Sequence, residues 1–182
     1  SVHLQGSGQQ ATIITSSVTD SSFPPVEGTL NLAGNSTVRD LTVVNSGTGE
    51  HNVALLDRFG NEGVIVEDVT VRTEGAGLNN YGIFLNSYGV IDFNQVTSHA
   101  ENGSSENAAF YGHLGPVATI RGGSYTASGG NTTYGIYGDF TGFYIYDATV
   151  TGQDGSGENH GLYSTNDCEV TLYGGAFTGS GG

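Results

Sequence analysis

Carboxylates are the most numerous groups in this chain that could do chemistry. Three of them, Asp40, Asp68 and Asp147, recur at one position of a repeated phrase. A line of carboxylates is the raw material of glycoside hydrolysis, where two carboxyls stand about 5–10 Å apart across the scissile bond. Gln95, Gly122 and Gly174 hold the same position in the other copies. Asp and Gly both tolerate a left-handed backbone, so the row reads as a bend in the chain in preference to a catalytic line. Asp139 and Asp167 form a second carboxylate pair, which would meet if both face the same way. Asp154-Gly-Ser156-Gly-Glu158 places oxygen ligands at alternate positions, as calcium loops do, and makes calcium the one cofactor candidate. That run lacks a full ligand set, and a solvated acidic edge shared with Glu50, Glu74, Glu101 and Glu106 is the plainer reading. Cys168 is alone, with no His or base at a motif spacing, and reads as a small buried residue.

Aromatic residues form a sharper pattern. The tetrapeptides VALL, YGIF, AAFY, YGIY and HGLY succeed one another, with Phe84, Phe110, Tyr137 and Tyr163 following Ile83, Ala109, Ile136 and Leu162, and Leu56 ahead of them. If the aliphatic partner faces inward, the four rings make an outward stripe for a carbohydrate or for another subunit. A phase shift of one residue would bury the row instead. Arg58, Asn86, His113, Asp139 and Thr165 are the polar groups expected beside it. Asn35-Ser-Thr, Asn102-Gly-Ser and Asn131-Thr-Thr are acceptor sites for N-glycans if the protein is exported.

The elements that carry these groups follow from a period. Val38-x-x-Leu41-x-Val43 returns as Val66-x-x-Val69-x-Val71, Phe93-x-x-Val96-x-Ser98, Ile120-x-x-Gly123-x-Tyr125, Ile145-x-x-Ala148-x-Val150 and Leu172-x-x-Gly175-x-Phe177. The step is about 27 residues, which marks a solenoid of stacked strands. Tyr125 and Phe177 occur in the copies where the preceding core position is Gly, so the large ring fills what the glycine vacates. After each pair of strands comes a polar turn (NSGTGEHN, TEGAGLNN, AENGSSEN, ASGGNTT, TGQDGSGEN), then a third strand. Thr42, Thr70, Thr97, Ser124 and Thr149 fall between core positions and form an outward hydroxyl ladder. The whole chain, 1–182, is one domain: residues 1–35 give first rungs and an irregular loop over 19–28, where Pro24-Pro25 blocks strand pairing, and 36–182 give regular coils.

The opening SVHLQGSGQQATIITSS, strand then Gly-rich turn then T-x-I, resembles the first rung of the pectin-lyase-like right-handed β-helix families, which include pectin methylesterases. With the repeat, the resemblance covers nearly the whole chain as architecture. It implies an all-β fold, a single-stranded right-handed parallel β-helix with coils of about 27 residues. The enzymatic motifs of those families are missing. There is no esterase acid pair with arginine and glutamine. Arg58 follows Asp57 without a calcium cluster, and Gly112-His113-Leu114 and Asn159-His160-Gly161 are the only traces of a Gly-His-Gly segment. Fold alone does not carry activity, so no catalytic residue is assigned.

Composition narrows the partners. Eighteen acids stand against four arginines and no lysine, a net charge of -14. That excludes the cationic face a nucleic acid requires, and suits a high-salt habitat or a secreted acidic protein. No apolar run is long enough for a membrane span. The chain begins without Met and starts and stops on strands, so it reads as part of a longer chain or as a subunit that stacks end to end or as a trimer. The expectation is an extracellular or cell-surface structural protein: a filament, spike or adhesin module, on a cell or a virion, glycosylated or binding a polysaccharide or glycan surface. A polysaccharide-active lyase, hydrolase or esterase is the alternative.

Overall fold

The computed structural model describes residues 2–75, 77–86 and 88–181, and among them the secondary structure is all strand and turn. The first coil holds β1 (His3–Gln5), β2 (Ile13–Ser16) and β3 (Leu30–Asn31). The second holds β4 (Thr37–Asn45) and β5 (His51–Asp57), the third β6 (Glu62–Thr73) and β7 (Asn79–Asn86). Three strands per coil follow: β8 (Val90–Asn94), β9 (Thr97–Glu101) and β10 (Glu106–His113); β11 (Val117–Arg121), β12 (Ser124–Ser128) and β13 (Thr132–Asp139); β14 (Gly142–Tyr146), β15 (Ala148–Gln153) and β16 (Asn159–Thr165). β17 (Glu169–Leu172) and β18 (Gly175–Ser180) lie on the last of these.

The named strands of successive coils pair in parallel, in a 12-stranded sheet and a 6-stranded sheet. The larger sheet is folded along its length. β4 meets β1 over Thr37–Arg39 and β2 over Thr42–Asn45, and β6 divides in the same way between β8 and β9. The fold line runs through Asp40, Asp68, Gln95, Gly122, Asp147 and Gly174, all at positive φ (58, 50, 52, 64, 52 and 125°). The acidic row is therefore a corner, as its mixture of Asp and Gly predicts. Three faces surround one core, so each coil is a three-sided turn of about 27 residues.

Val38, Val66, Phe93, Ile120 and Ile145 stack in register in the first face, and Val43, Val71, Ser98, Tyr125 and Val150 in the second, all buried. Gly123 is required by the neighbouring coil: a Cβ there would lie 2.1 Å from the Val96 carbonyl oxygen, on a backbone at φ +83°. The Tyr125 ring two residues on is in the core and brings a hydroxyl that is fully buried without a hydrogen-bond partner. Burial pushes that hydroxyl far above the ordinary phenol range. Tyr125→Phe keeps the ring and deletes the orphaned oxygen, so it should raise stability by about 1 kcal/mol. A lower urea midpoint for the variant would show that the hydroxyl is satisfied after all.

A buried asparagine row closes the turn into the third face. Asn52, Asn80, Asn107, Thr133 and Asn159 are in register. Asn107 and Asn159 each accept from the amide of a glycine in their own turn (Gly103, Gly155) and donate back to its carbonyl. The same amide groups donate to the next coil, Asn107 to Ser128 and Gly129, Asn159 to Gly181. The signal was in the turns themselves, each of which ends on this Asn or Thr.

Candidate functional site

The third sheet runs β3-β5-β7-β10-β13-β16, and its outer face carries two apolar rows. Leu56, Phe84, Tyr111, Tyr137 and Tyr163 form one; Val53, Tyr81, Ala108, Tyr134 and His160 form the other. Val53, Leu56, Tyr81, Phe84, Ala108, Tyr111 and Tyr134, with Tyr137 packed against them, make a second hydrophobic cluster separate from the core, and Tyr163 and His160 extend the rows beyond it. Phe110 does not belong to it. Its ring is fully buried in the core, in register with Ile83 and Ile136, and packs edge-on against Phe93 and Phe143 at 5.1 and 5.6 Å. In the AAFY tetrapeptide the outward ring is the last residue, Tyr111.

The physical reason for this correction lies in one row of small residues. Each third strand has two consecutive inward residues, Ala54-Leu55, Gly82-Ile83, Ala109-Phe110, Gly135-Ile136 and Gly161-Leu162, which break the strict alternation. The small member passes close to the second face: a Cβ on Gly82 would sit 2.2 Å from Ser98 Oγ. Alternation counted across that break comes out one residue wrong.

Outward does not mean open. Leu56 and Phe84 are fully buried and Tyr111 is 7% exposed, whereas Tyr137 is half-buried and Tyr163 is 38% exposed. The cover is the irregular loop, which folds back onto this face instead of projecting from the solenoid. Asp20 makes an antiparallel bridge to His51, and its carboxylate accepts from the amides of Ser22, Val26 and Glu27. Burial alone would raise that carboxyl, but the amide hydrogen bonds outweigh it and hold it below its ordinary value. Thus pinned, the loop lays Phe23 against His51, Phe84, Tyr111 and His113, at ring separations of 5.6, 6.0, 6.1 and 5.6 Å.

Polar groups frame the rings on both sides. Asn86, His113, Asp139 and Thr165 share one register line, as their spacing predicts. His113 Nδ1 and Asp139 Oδ2 are 2.9 Å apart, and Asp139 Oδ1 accepts from Asn166 at 2.7 Å. Arg58 leaves that line and packs over the Phe59 ring. On the other rim stand His51, Glu106 and the pair Glu158–His160, the last two 3.2 Å apart. His51 and His160 stack on Tyr81 and Tyr134. Burial pushes the hydroxyls of Tyr81, Tyr111 and Tyr134 well up, so they are neutral at any physiological pH.

Glu106 is the strained member of the frame. Burial raises its carboxyl above 4.5, against the opposing effect of the Tyr81 hydroxyl. A carboxyl whose folded pKa is raised binds its proton more readily in the fold. Stability therefore rises as pH falls through the raised value, and above it the ionised form is a penalty. Glu106→Gln should be more stable than the parent at about pH 8, and the difference should vanish towards about pH 4. Urea titrations at the two pH values check this; an equal difference at both would sink it.

The remaining candidates scatter. In the Asp154-Gly-Ser156-Gly-Glu158 run, Glu158 is turned to His160 and the Ser156 hydroxyl donates to the Gly130 carbonyl. Among the described residues no three His, Cys, Asp or Glu groups could share a metal ion. Asp139 is engaged by His113 and Asn166, while Asp167 lines a groove with Tyr88, Leu114, Gly115 and Phe140. Cys168 Sγ donates to the Thr165 carbonyl and accepts from the Thr141 amide, a structural use at half burial. Asn35, Asn102 and Asn131 are all exposed. Among the described residues no helix is long and apolar enough to cross a membrane. No protein-family model, no curated protein and no solved structure matches this chain.

Proposed function

We propose that the chain is a non-catalytic module of an extracellular or cell-surface structural protein, of fibre, spike or adhesin type, which uses the outer face of its third sheet to bind a partner. The observation that carries this reading is the second apolar cluster, a continuous ladder of aromatic rings outside the core and open at Tyr137 and Tyr163. Aromatic rings left open at the end of such an outward ladder are the kind of anchor that binding surfaces use. The polar investment of the chain supports the same reading. Its buried amides tie coil to coil, and its acidic corner is a backbone device. The three-sided coil and its opening strand pattern support the finer placement among right-handed pectin-lyase-like solenoids. Exposed sequon asparagines and the net charge of -14 fit a secreted, glycosylated protein of saline surroundings.

One observation favours the second reading, a polysaccharide-active enzyme. The Asp139 carboxylate holds His113 through Nδ1, which leaves Nε2 to move a proton. Incubation with a panel of neutral and acidic polysaccharides, assayed for new reducing ends and for unsaturated products, separates the two. The structural reading expects no turnover. Turnover that disappears in His113→Ala would replace it with the enzymatic one. Sedimentation at several concentrations tests the trimer and end-to-end forms in the same preparation.

A further inference from the structure

We propose that the open end of the ladder, Tyr137, His160 and Tyr163 packed on the buried Tyr134, docks a segment of a partner protein that carries an aromatic residue beside prolines, flanked by basic side chains. This rests on the reading of the third sheet's outer face as a binding surface, and names what binds there. The chain already displays such a complex with itself. Phe23, followed in the chain by Pro24 and Pro25, lies on the first part of the ladder and packs against Phe84 and Tyr111. The ladder continues for two more coils, where Tyr137 is half-buried and Tyr163 is 38% exposed.

Ring geometry selects the kind of visitor. Phe84 and Tyr111 stack at 4.9 Å and 6°, and Phe23 stands 6.0 and 6.1 Å from their centres, perpendicular to both. It therefore sits beside the stack, against ring edges. The same stack runs on through Tyr111–Tyr137 at 4.4 Å and Tyr137–Tyr163 at 5.6 Å, so the faces between successive rings are sealed and their edges point outward, the far face of Tyr163 alone carrying no stacked ring among the described residues. A pyranose needs an open ring face to stack on. An aromatic side chain does not, because perpendicular edge contact is one of its preferred arrangements.

Charge selects the flanks. Asp139 and Glu158 border the open rings, and among the described residues the cationic candidates beside them are His113 and His160, each already set against one of those carboxylates. The loop that covers the first part carries Asp20 and Glu27 beside its Phe. A second copy of the chain would bring those acids and a net charge of -14 to an acidic rim. Complementarity points instead to a different protein with lysines or arginines beside its aromatic residue.

The test uses the full chain and dye-labelled peptides read by fluorescence anisotropy. The probe is the 20–27 sequence carrying D20K and E27K, KSSFPPVK. It is expected to bind saturably, with affinity about tenfold weaker for Tyr137→Ala/Tyr163→Ala and for the acidic parent peptide DSSFPPVE. KSSAPPVK should not bind. Tyrosine-ring NMR of the unmutated chain gives a readout that no folding defect can mimic, with shifts expected at Tyr137 and Tyr163. Absence of saturation at millimolar peptide, or binding indifferent to the loss of the peptide's Phe, overturns the proposal. So does concentration-dependent dimerisation that blocks the peptide. A soluble oligosaccharide that saturates the chain and loses affinity in the double variant would overturn the polypeptide partner but keep the face as a binding surface. If neither ligand depends on Tyr137 and Tyr163, both readings fall.

Discussion

Asn107→Ala should lower the stability of the solenoid by about 3 kcal/mol or more, the largest loss expected from any polar substitution in the chain. The side chain is fully buried, and its single amide group serves four backbone partners. Oδ1 accepts from Gly103 N at 3.0 Å, while Nδ2 is shared among the carbonyls of Gly103, Ser128 and Gly129 at 3.1, 3.1 and 3.0 Å. Two of those carbonyls belong to the next coil. Alanine would remove all four bonds: the Gly103 pair is buried and the Ser128 and Gly129 carbonyls are part-buried, and each buried group left without a partner costs about 1–3 kcal/mol before relaxation. Aspartate is expected to be no rescue, since an ionised carboxylate has nothing to donate to three carbonyls. Ser104→Ala, on an exposed side chain of the same turn, should change stability by less than about 0.5 kcal/mol. Urea denaturation of the three variants is the measurement. A loss below about 1 kcal/mol for Asn107→Ala, with the native circular dichroism retained, would remove the asparagine row as a clamp between coils.

The second large effect separates two neighbours in sequence that face opposite ways. Phe110→Ala should cost about 4 kcal/mol, as deletion of a fully buried ring does. Its ring meets Phe93, Tyr125 and Phe143 in the centre of the core, and no water-filled side can absorb the cavity. Tyr163→Ala, on the open end of the outer ladder, should cost less than about 1 kcal/mol, because much of the ring is already in water. Had Phe110 stood on the surface stripe, as alternation across AAFY predicts, the two losses would be alike. Equal urea midpoints for the two variants would therefore restore that earlier phase and dissolve the break at the Ala54, Gly82, Ala109, Gly135 and Gly161 row.

These two residues also mark how far the chain could be read before it was folded. The period and the inward residues of the first two faces were legible, because a strand shows its facing by simple alternation and the copies repeat it in phase. The corner was legible too. Asp40, Asp68 and Asp147 share their place with Gly122 and Gly174, and only a left-handed backbone gives those residue types a common reason. Phe110 was misplaced because alternation fails wherever two residues in a row turn inward, and that failure originates in contact with another face. The asparagine row went unseen for a different reason. A buried amide that bonds to backbone has no periodic partner residue to betray it; only its place at the end of each polar turn does.

By itself, the amino-acid order determined that this chain is a stack of parallel strands with three core positions and a sharp corner in every coil. Those properties are set by local sterics and by side-chain volume at neighbouring rungs, both of which are written residue by residue. The tertiary structure alone decided which outward rings meet solvent. Phe84 and Tyr111 are closed, and Tyr137 and Tyr163 open, because a loop from the first coil folds over the third sheet and reaches only so far. Exposure depends on what lies above a residue, and here that neighbour is a proline-bearing loop far away in sequence, held down by the hydrogen bonds of Asp20.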